Sequence, residues 1–432
     1  MNSRRLPGAL LALLVVMGGH EALAQEGSGK TFSLEPPELA TVPIFRMTSE
    51  EKIDDKPKYD YFLLVKAKLN GVYDIEGGLQ ESETFNVGKI DVYGTNDDPR
   101  FHMDMHQSQV RFRGQRETAG GTLVAYMEGD YWGGNKHFRL RHMWVDYKFI
   151  HFGQDWSFFG DKEIWPNVFD WDGPPSGVWR REPELKFYFQ TESQWIFDIG
   201  IAQPGAQITF NPDFDDAVTA ANQSVPDIIG AVWKKADFGH IRVTGIYRDL
   251  KYDTGGSNDR VAGYGGTGSG LIKTHKKWDN PIQFQFVAGK GIATYLVSFD
   301  GLNYDAAPDG NGVLEAIPTV GGWASYEHFF NERWHVNVVG GLSRFSSHHI
   351  AEFTIPGPGY GATNTSIDLK HWYGLFNIMY TPIPALTFGV EYNRGRKTAR
   401  YEGTIDTGDG IIDVEEESRL AQRISFGVFF DF

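Results

Sequence analysis

Hydrophobic and polar residues alternate with a period of two from residue 59 to residue 432. Alternation of this kind places the two sets of side chains on opposite faces of a β-strand. It recurs over 107–113, 185–190, 282–288 and 335–342. In the first of these stretches one face carries Gln107, Gln109, Arg111 and Arg113, and the other carries Ser108, Val110 and Phe112. The pattern predicts an all-β chain.

The connections between these strands alternate in length. Short links and long polar links take turns along the chain. The short links are 118–121, 191–194, 237–239, 330–333 and 381–384, and the long ones are 77–100, 159–183, 203–225, 297–318, 347–366 and 402–418. Short turns at one end and long loops at the other are typical of an outer-membrane barrel. We therefore predict a transmembrane antiparallel β-barrel of about 16 strands, with the strand divisions least defined between Asp249 and Lys277.

The N-terminus has the pattern of a secretory signal. Arg4 and Arg5 precede a short apolar stretch, and the small-residue site Ala22-Leu23-Ala24 follows it. A charged start, an apolar run too short to span a bilayer and an A-x-A site indicate a cleaved signal peptide. We predict three regions: a signal peptide over 1–24, an extended periplasmic segment over 25–58, and the barrel over 59–432.

Composition narrows the possible classes. The 432 residues include no cysteine and carry a formal charge of −15, with 31 Phe, 19 Tyr and 12 Trp. The lack of cysteine excludes a disulfide scaffold, a thiolate metal site and a cysteine nucleophile. The charge argues against a nucleic-acid partner. A mean hydropathy of −0.37 excludes a multi-helix membrane protein but is compatible with a barrel, whose alternating strands average to a polar value.

Alternation alone leaves the direction of the faces open, because a soluble β-protein turns its apolar face inward and a membrane barrel turns it outward. Three features favour the membrane barrel: the size, the aromatic residues near strand ends, and a final amphipathic strand. That strand places Ile424, Phe426, Val428, Phe430 and Phe432 on one face. A last strand that ends in Phe resembles the signal read by the bacterial outer-membrane insertion machinery.

Four segments carry a resemblance to a known family. They are YMEGDY at 126–131, FRLRH at 138–142, GQDWSFF at 153–159 and FDWDGP at 169–174. Over these segments the chain resembles the DcaP-like family of trimeric outer-membrane porins. The resemblance implies a sixteen-stranded homotrimeric channel for small carboxylates, including dicarboxylic acids. It departs from the family at 25–58, which lacks the heptads of the periplasmic coiled coil found in better-known members.

The stretch 159–183 predicts a constriction. It is too long for a turn, and its tryptophans are costly to leave in water, so we expect it to fold onto the lumen wall. The loop carries Asp161 and Glu163, and the strands before it carry arginines, together with Tyr126 and Glu128, at alternating positions. By parity, and by the resemblance, we expect these side chains to line the lumen and contact carboxylate solutes, since guanidinium groups bind carboxylates in two parallel hydrogen bonds. The predicted arginines are Arg111, Arg113, Arg139 and Arg141. Pairing of these arginines with Glu128 and Asp130, which would only satisfy a polar interior, is the alternative.

Other motifs point to no further chemistry. The run Gly263–Gly268 matches G-x-G-x-x-G without a strand–helix context. His102 and His106 are four residues apart, which is a metal-ligand spacing on a helix, whereas on a strand they lie two side chains apart on one face. We predict no cofactor, no metal site and no catalytic residues. The predicted function is a bacterial outer-membrane porin for small hydrophilic solutes, in contact with membrane lipid and lipopolysaccharide. The alternatives are an outer-membrane barrel enzyme (a lipase or a protease) and a soluble exported carbohydrate-binding β-protein.

Overall fold

The structure is a computed structural model. It describes residues 44–76, 79, 84–92, 94, 98–208, 223–253, 258–308, 313–347, 356–357, 360–363, 367–401, 404–406, 411–413 and 416–431. The predicted signal peptide and residues 25–43 of the predicted periplasmic segment lie outside the described residues. No helix in the described ranges is long and apolar enough to cross a bilayer.

Sixteen antiparallel strands form one sheet. The second strand is in two pieces, Arg100–Asp104 and Gln109–Thr118, which both pair with the first. The strands are β1 (Tyr59–Asp74), β2 (these two pieces), β3 (Gly121–Asp130), β4 (Arg139–Tyr147), β5 (Ile150–Trp156), β6 (Arg181–Gln190), β7 (Trp195–Ala202), β8 (Asp227–Ala236), β9 (Gly239–Asp253), β10 (Asn258–His275), β11 (Asp279–Lys290), β12 (Pro318–Phe329), β13 (Trp334–Ser346), β14 (Ile367–Ile383), β15 (Leu386–Tyr401) and β16 (Glu417–Asp431).

The sheet closes on itself because β16 pairs with β1, in a register that runs from Arg423 opposite Asp74 to Asp431 opposite Lys66. Closure leaves no unpaired sheet edge, which is the condition for a β-structure to cross a membrane. The strand count and the alternation of short turns with long loops are as predicted. Between Asp249 and Lys277, where the sequence defines the strands least, β9 ends at Asp253 and β10 begins at Asn258.

The described part of the predicted periplasmic segment adds to the barrel wall. A short strand, Phe45–Thr48, pairs with the beginning of β1, with Phe45 opposite Leu63. This places it on the same edge of β1 that pairs with β16 farther along. Residues 44–58 therefore contain a strand, and a hairpin of Lys52–Ile53 with Lys56–Pro57 follows it.

The two faces of the wall have opposite chemistry. Large apolar side chains on the outer face are exposed, for example Phe286 (64%), Leu342 (63%) and Val243 (61%). Charged and amide side chains on the inner face are buried, among them Gln285, Asn337 and Glu391. A soluble β-protein would bury the apolar set, so this arrangement contradicts the soluble alternative and is that of a transmembrane barrel.

Three of the long connections pack inside the barrel, and in the one between β1 and β2 the side chains of Phe85, Val87 and Ile90 are buried. The other two are the inner loops. The first inner loop (157–180) joins β5 to β6, and the second inner loop (291–317, described except for 309–312) joins β11 to β12. Leu296 of the second forms a bridge with Val178 of the first, and Val297 donates a backbone hydrogen bond of 3.0 Å to Gly177. Phe159, Tyr295 and Phe299 are fully buried in the apolar cluster between the two loops and the wall. The inward loop predicted at 159–183 is confirmed.

Candidate functional site

The first inner loop is fixed to the wall mainly through its backbone. Arg242 on β9 donates hydrogen bonds to the carbonyls of Phe158 and Gly160. Farther along the loop, the N–H groups of Phe169 and Asp170 donate to the carboxylate of Glu391 on β15, at 2.7 and 3.0 Å. Polar wall residues on opposite strands therefore replace the hydrogen bonds that the loop backbone would make with water.

Two of the three tryptophans of the loop, Trp165 and Trp179, form one cluster with the wall. Trp165 packs on Trp179 with ring centroids 4.1 Å apart, and on Trp156 of β5 at 5.4 Å. Trp179 also contacts Trp323 of β12, at 5.7 Å. Trp179 is buried and Trp165 is half-buried against the lumen wall, which agrees with the predicted inward fold. Trp171 is also half-buried and lies apart from them, with its ring centroid 3.9 Å from Nζ of Lys68 on β1.

The two predicted acidic residues of the loop pair with β8, β9 and β10. The carboxylate of Asp161 lies 2.8 Å from Nε2 of His240 and accepts a 2.7 Å hydrogen bond from Ser269. Burial by itself raises the pKa of Asp161, but His240, Arg242 and Ser269 outweigh it and hold the pKa at about 2. Glu163 pairs with Lys235, with Nζ 2.5 Å from Oε1. These carboxylates therefore act as anchors of the loop.

Asp170 lies in a different electrostatic environment. Its carboxylate accepts a hydrogen bond from the N–H of Phe85 and lies 3.7 Å from Nη1 of Arg423. Burial, together with the negative charges of Asp172 and Glu391, raises the pKa of Asp170 to about 7 against the opposing charge of Arg423. The pKa of Asp170 is therefore shifted in the opposite direction to that of Asp161 in the same loop.

The predicted arginines form a cluster with strand carboxylates. Glu128 accepts from Arg141 at 2.6 Å and lies 3.3 Å from Nε of Arg111. Asp130 pairs with Arg139 at 2.7 Å and with Arg141 at 2.9 Å. Three guanidinium groups thus share two carboxylates, which is the pairing of the alternative reading, and Arg111 also lies 3.9 Å from a third carboxylate, Asp431. We call the three arginines with Glu128 and Asp130 the arginine cluster.

Of the remaining predicted residues, Tyr126 borders this cluster. Tyr126 donates a 2.7 Å hydrogen bond to Glu128 from the same strand. Arg113 is buried, and its guanidinium lies 5.9 Å from the ring centroid of Phe62. Asp161 and Glu163 pair with His240 and Lys235, so the predicted site residues divide into the arginine cluster with its neighbours and the loop anchors.

A β-bulge shapes the arginine cluster. His142 pairs with Glu128 and Leu140 pairs with Gly129, so Arg141 is the extra residue of β4. A bulge resets the alternation of side chains. As a result, Arg139, Arg141 and His142 all reach lumen carboxylates, and His142 lies 3.0 Å from Asp155.

Sequence reasoning missed Arg181, the first residue of β6. Its guanidinium lies 4.9 Å from the ring centroid of Trp156, and that of Arg141 lies 5.8 Å from the same ring. Its Nη1 atom is buried and makes no hydrogen bond within the described part of the chain. The dipeptide Arg180-Arg181 at the end of a Trp-rich loop was the available signal.

Sequence reasoning also missed the network that holds the second inner loop. Arg248 on β9 is fully buried between Asp227 of β8 and Asp305 of the loop, at 3.0 and 2.9 Å. The hydroxyl of Tyr295 donates to Asp227 at 2.8 Å. Burial raises the pKa of Asp305, and the charge of Arg248 opposes this rise. The second inner loop is therefore held to the wall through the buried guanidinium group of Arg248, which lies between two carboxylates.

Solved structures of outer-membrane channels share this architecture. The crystal structure of the outer membrane channel DcaP of Acinetobacter baumannii matches with a TM-score of 0.68 and 16% identity, over 89% of this chain and 100% of that one. The chain has the fold of the DcaP channel. The resemblance predicted from the sequence is thus confirmed in the fold.

Two further solved structures share the barrel less closely. The anion-selective porin from Comamonas acidovorans matches with a TM-score of 0.52 and 11% identity, over 87% of this chain and 100% of that one. In vitro folded OmpT, an outer membrane protein of Vibrio cholerae, matches with a TM-score of 0.50 and 9% identity, over 88% and 100% of the two chains. No protein-family model matches the sequence, and no curated protein does.

Proposed function

We propose that the chain is a bacterial outer-membrane porin that lets small hydrophilic solutes diffuse passively and favours small carboxylates, including dicarboxylic acids. The observation that carries the proposal is the arginine cluster on the inner face of a barrel whose outer face is apolar. The barrel supplies the path, the two inner loops narrow it, and the cluster supplies positive charge along it.

The guanidinium groups of the cluster suit a weak carboxylate site. The side chains of Arg139 and Arg111 are 33% and 20% exposed while they pair with Asp130 and Glu128. A solute carboxylate competes with these internal acids for the same hydrogen bonds, so each arginine exchanges an internal carboxylate for the carboxylate of the solute when it binds. Release then stays fast, and we expect millimolar dissociation constants, about −4 kcal/mol.

The assembly and surroundings follow from the same proposal. The apolar outer face contacts membrane lipid, the long loops face lipopolysaccharide, and the resemblance to the DcaP-like family supports a homotrimer. The chain then works as a channel and not as an enzyme. The alternative of a barrel lipase or protease predicts turnover of an ester or a peptide that one Ser or His substitution abolishes.

Liposome swelling tests the proposal. Purified protein in liposomes should admit a small dicarboxylate faster than the diamide of the same size, and protein-free liposomes should admit neither at a comparable rate. Equal rates for the two solutes would overturn the carboxylate preference but would not contradict the porin function. No permeation of either solute through a folded, heat-modifiable barrel would overturn the porin itself.

A further inference from the structure

We propose that the barrel wall contains a binding site for a first-row divalent metal ion of the zinc type, formed by His151 and Asp155 of β5 and Glu184 of β6. Nε2 of His151 lies 3.7 Å from Oδ2 of Asp155 and 3.5 Å from Oε1 of Glu184. Among the described residues, these three form the group of potential metal ligands whose ligand atoms all lie within 4.8 Å of one another. Its three ligands are distinct from the residues of the arginine cluster, and His142, which lies 3.0 Å from Asp155 and 4.0 Å from Glu128, stands between the two groups.

Two of the three distances between the ligand atoms fit a metal ion, and all three atoms lie within 4.8 Å of one another. Zinc binds imidazole nitrogen and carboxylate oxygen at about 2.0–2.2 Å, so the ligand atoms of a tetrahedral site lie roughly 3.4 Å apart. The two distances from Nε2 are close to this value. His151 and Asp155 are four residues apart on one strand, and Glu184 lies on the neighbouring strand, opposite Gly153. The pairing of two strands, and not a loop, sets the geometry.

Two buried ligand atoms have no hydrogen-bond partner in the described structure. They are Nε2 of His151 and Oε1 of Glu184, and both side chains are 0% exposed. Buried polar atoms are nearly always satisfied, so these two, which face each other at 3.5 Å, require either a proton between them or a bound cation. The other ring nitrogen of His151 lies 2.9 Å from Asp146. A carboxylate on Nδ1 fixes the tautomer that leaves Nε2 free to bind a metal, as in many metal sites.

Two lysines supply positive charge next to the carboxylates of this cluster. Nζ of Lys162, in the first inner loop, lies 2.6 Å from Oδ2 of Asp155, and Nζ of Lys186 lies 3.9 Å from Oε1 of Glu184. The Lys162 side chain is 24% exposed, so this is the side from which an ion reaches the cluster. Metal binding therefore requires Lys162 to leave Asp155, which links the site to one contact of the first inner loop.

Donor chemistry selects the ion. One imidazole nitrogen and two carboxylate oxygens suit Zn²⁺, Co²⁺ or Ni²⁺, whereas Ca²⁺ and Mg²⁺ require oxygen ligands in larger number. We therefore expect Ca²⁺ and Mg²⁺ not to compete. A purely structural role of the cluster, with the lysines as its permanent cations, predicts no binding of any of these ions.

Equilibrium dialysis of the chelator-treated, detergent-purified full chain with Zn²⁺ tests the site, with metal content measured by mass spectrometry and Co²⁺ used as a spectroscopic probe. We expect one ion per chain. His151→Gln and Glu184→Gln should each weaken binding roughly tenfold or more. Lys162→Met should strengthen it roughly tenfold, because it removes a like charge at about 4 Å. His328→Gln, at the short-turn end, is the matched control and should leave binding unchanged.

The opposite results would overturn the proposal. Absence of stoichiometric Zn²⁺, or equal binding by wild type, His151→Gln and Lys162→Met, shows that the cluster holds no metal. If the histidine or glutamate variant fails to fold, the Lys162→Met variant and the Co²⁺ spectrum of the wild type still decide. Permeation through the barrel is measured separately, so failure of this site and failure of the porin proposal are distinguishable.

Discussion

Nε2 of His240 on β9 lies 2.8 Å from Oδ2 of Asp161 in the first inner loop. The two residues are 79 positions apart in the sequence, and the contact fixes the beginning of the loop to the wall. The carboxylate makes a second hydrogen bond, to Ser269 of β10, and is almost fully buried.

Replacing Asp161 by Asn should loosen this anchor. Loss of the charge leaves His240 and Ser269 with a weaker acceptor in a buried place, at a cost of about 1–3 kcal/mol. We expect a lower midpoint of thermal unfolding, followed by the change in gel mobility on heating, and a larger single-channel conductance. The control is Glu163→Gln, whose partly exposed ion pair should contribute no more than about 1 kcal/mol. Equal effects of the two substitutions would contradict the role of Asp161.

The pKa of Asp170 predicts a dependence of stability on pH. Its folded-state pKa of about 7 lies above the value of roughly 3.9 expected in an unfolded chain, so the native state binds the proton more tightly. Its contribution to stability is therefore complete below pH ~4 and is lost as the pH rises to about 7. The midpoint of unfolding should fall between pH 5 and pH 8 in the wild type, and less so in Asp170→Asn. Asp279→Asn, in an exposed ion pair, should keep the wild-type slope.

The second inner loop should depend on Arg248. Replacing it by Met leaves Asp227 and Asp305 buried without a cation, which costs about 3–5 kcal/mol. We expect Arg248→Met to lower the midpoint of thermal unfolding. A second change, Asp305→Asn in the same chain, should recover part of the loss, because it removes one of the uncompensated charges. A midpoint equal to that of the wild type would show that the network does not hold the loop.

The arginine cluster should set the ion preference. Replacing both Arg139 and Arg141 by Ala should reduce the preference for anions and weaken block by a dicarboxylate, and Arg113→Ala should act in the same direction. The measurement is the reversal potential in a salt gradient. Arg333→Ala, at the exposed short-turn end, serves as the control. A reversal potential that the double change leaves untouched would show that these arginines do not face the path of the ions.

The sequence predicted the wall and the inward loop because each follows from local patterns. Period-two alternation in 107–113 separated the two faces of β2, and the tryptophans of 159–183 identified a segment expected to fold onto the wall. The contacts of Asp161 with His240 and of Arg248 with Asp305 join distant strands and loops, so no local pattern reports them. The bulge at Arg141 depends on its pairing with β3, and alternation within β4 alone does not reveal it.

Single-channel recording in a planar bilayer under a salt gradient tests both the porin function and its preference for anions. We expect discrete current steps, in groups of three if the protein is a homotrimer, with a reversal potential on the anion side. Steps with a cation preference would contradict the assignment of the arginine cluster. A folded barrel that gives no steps would contradict the porin.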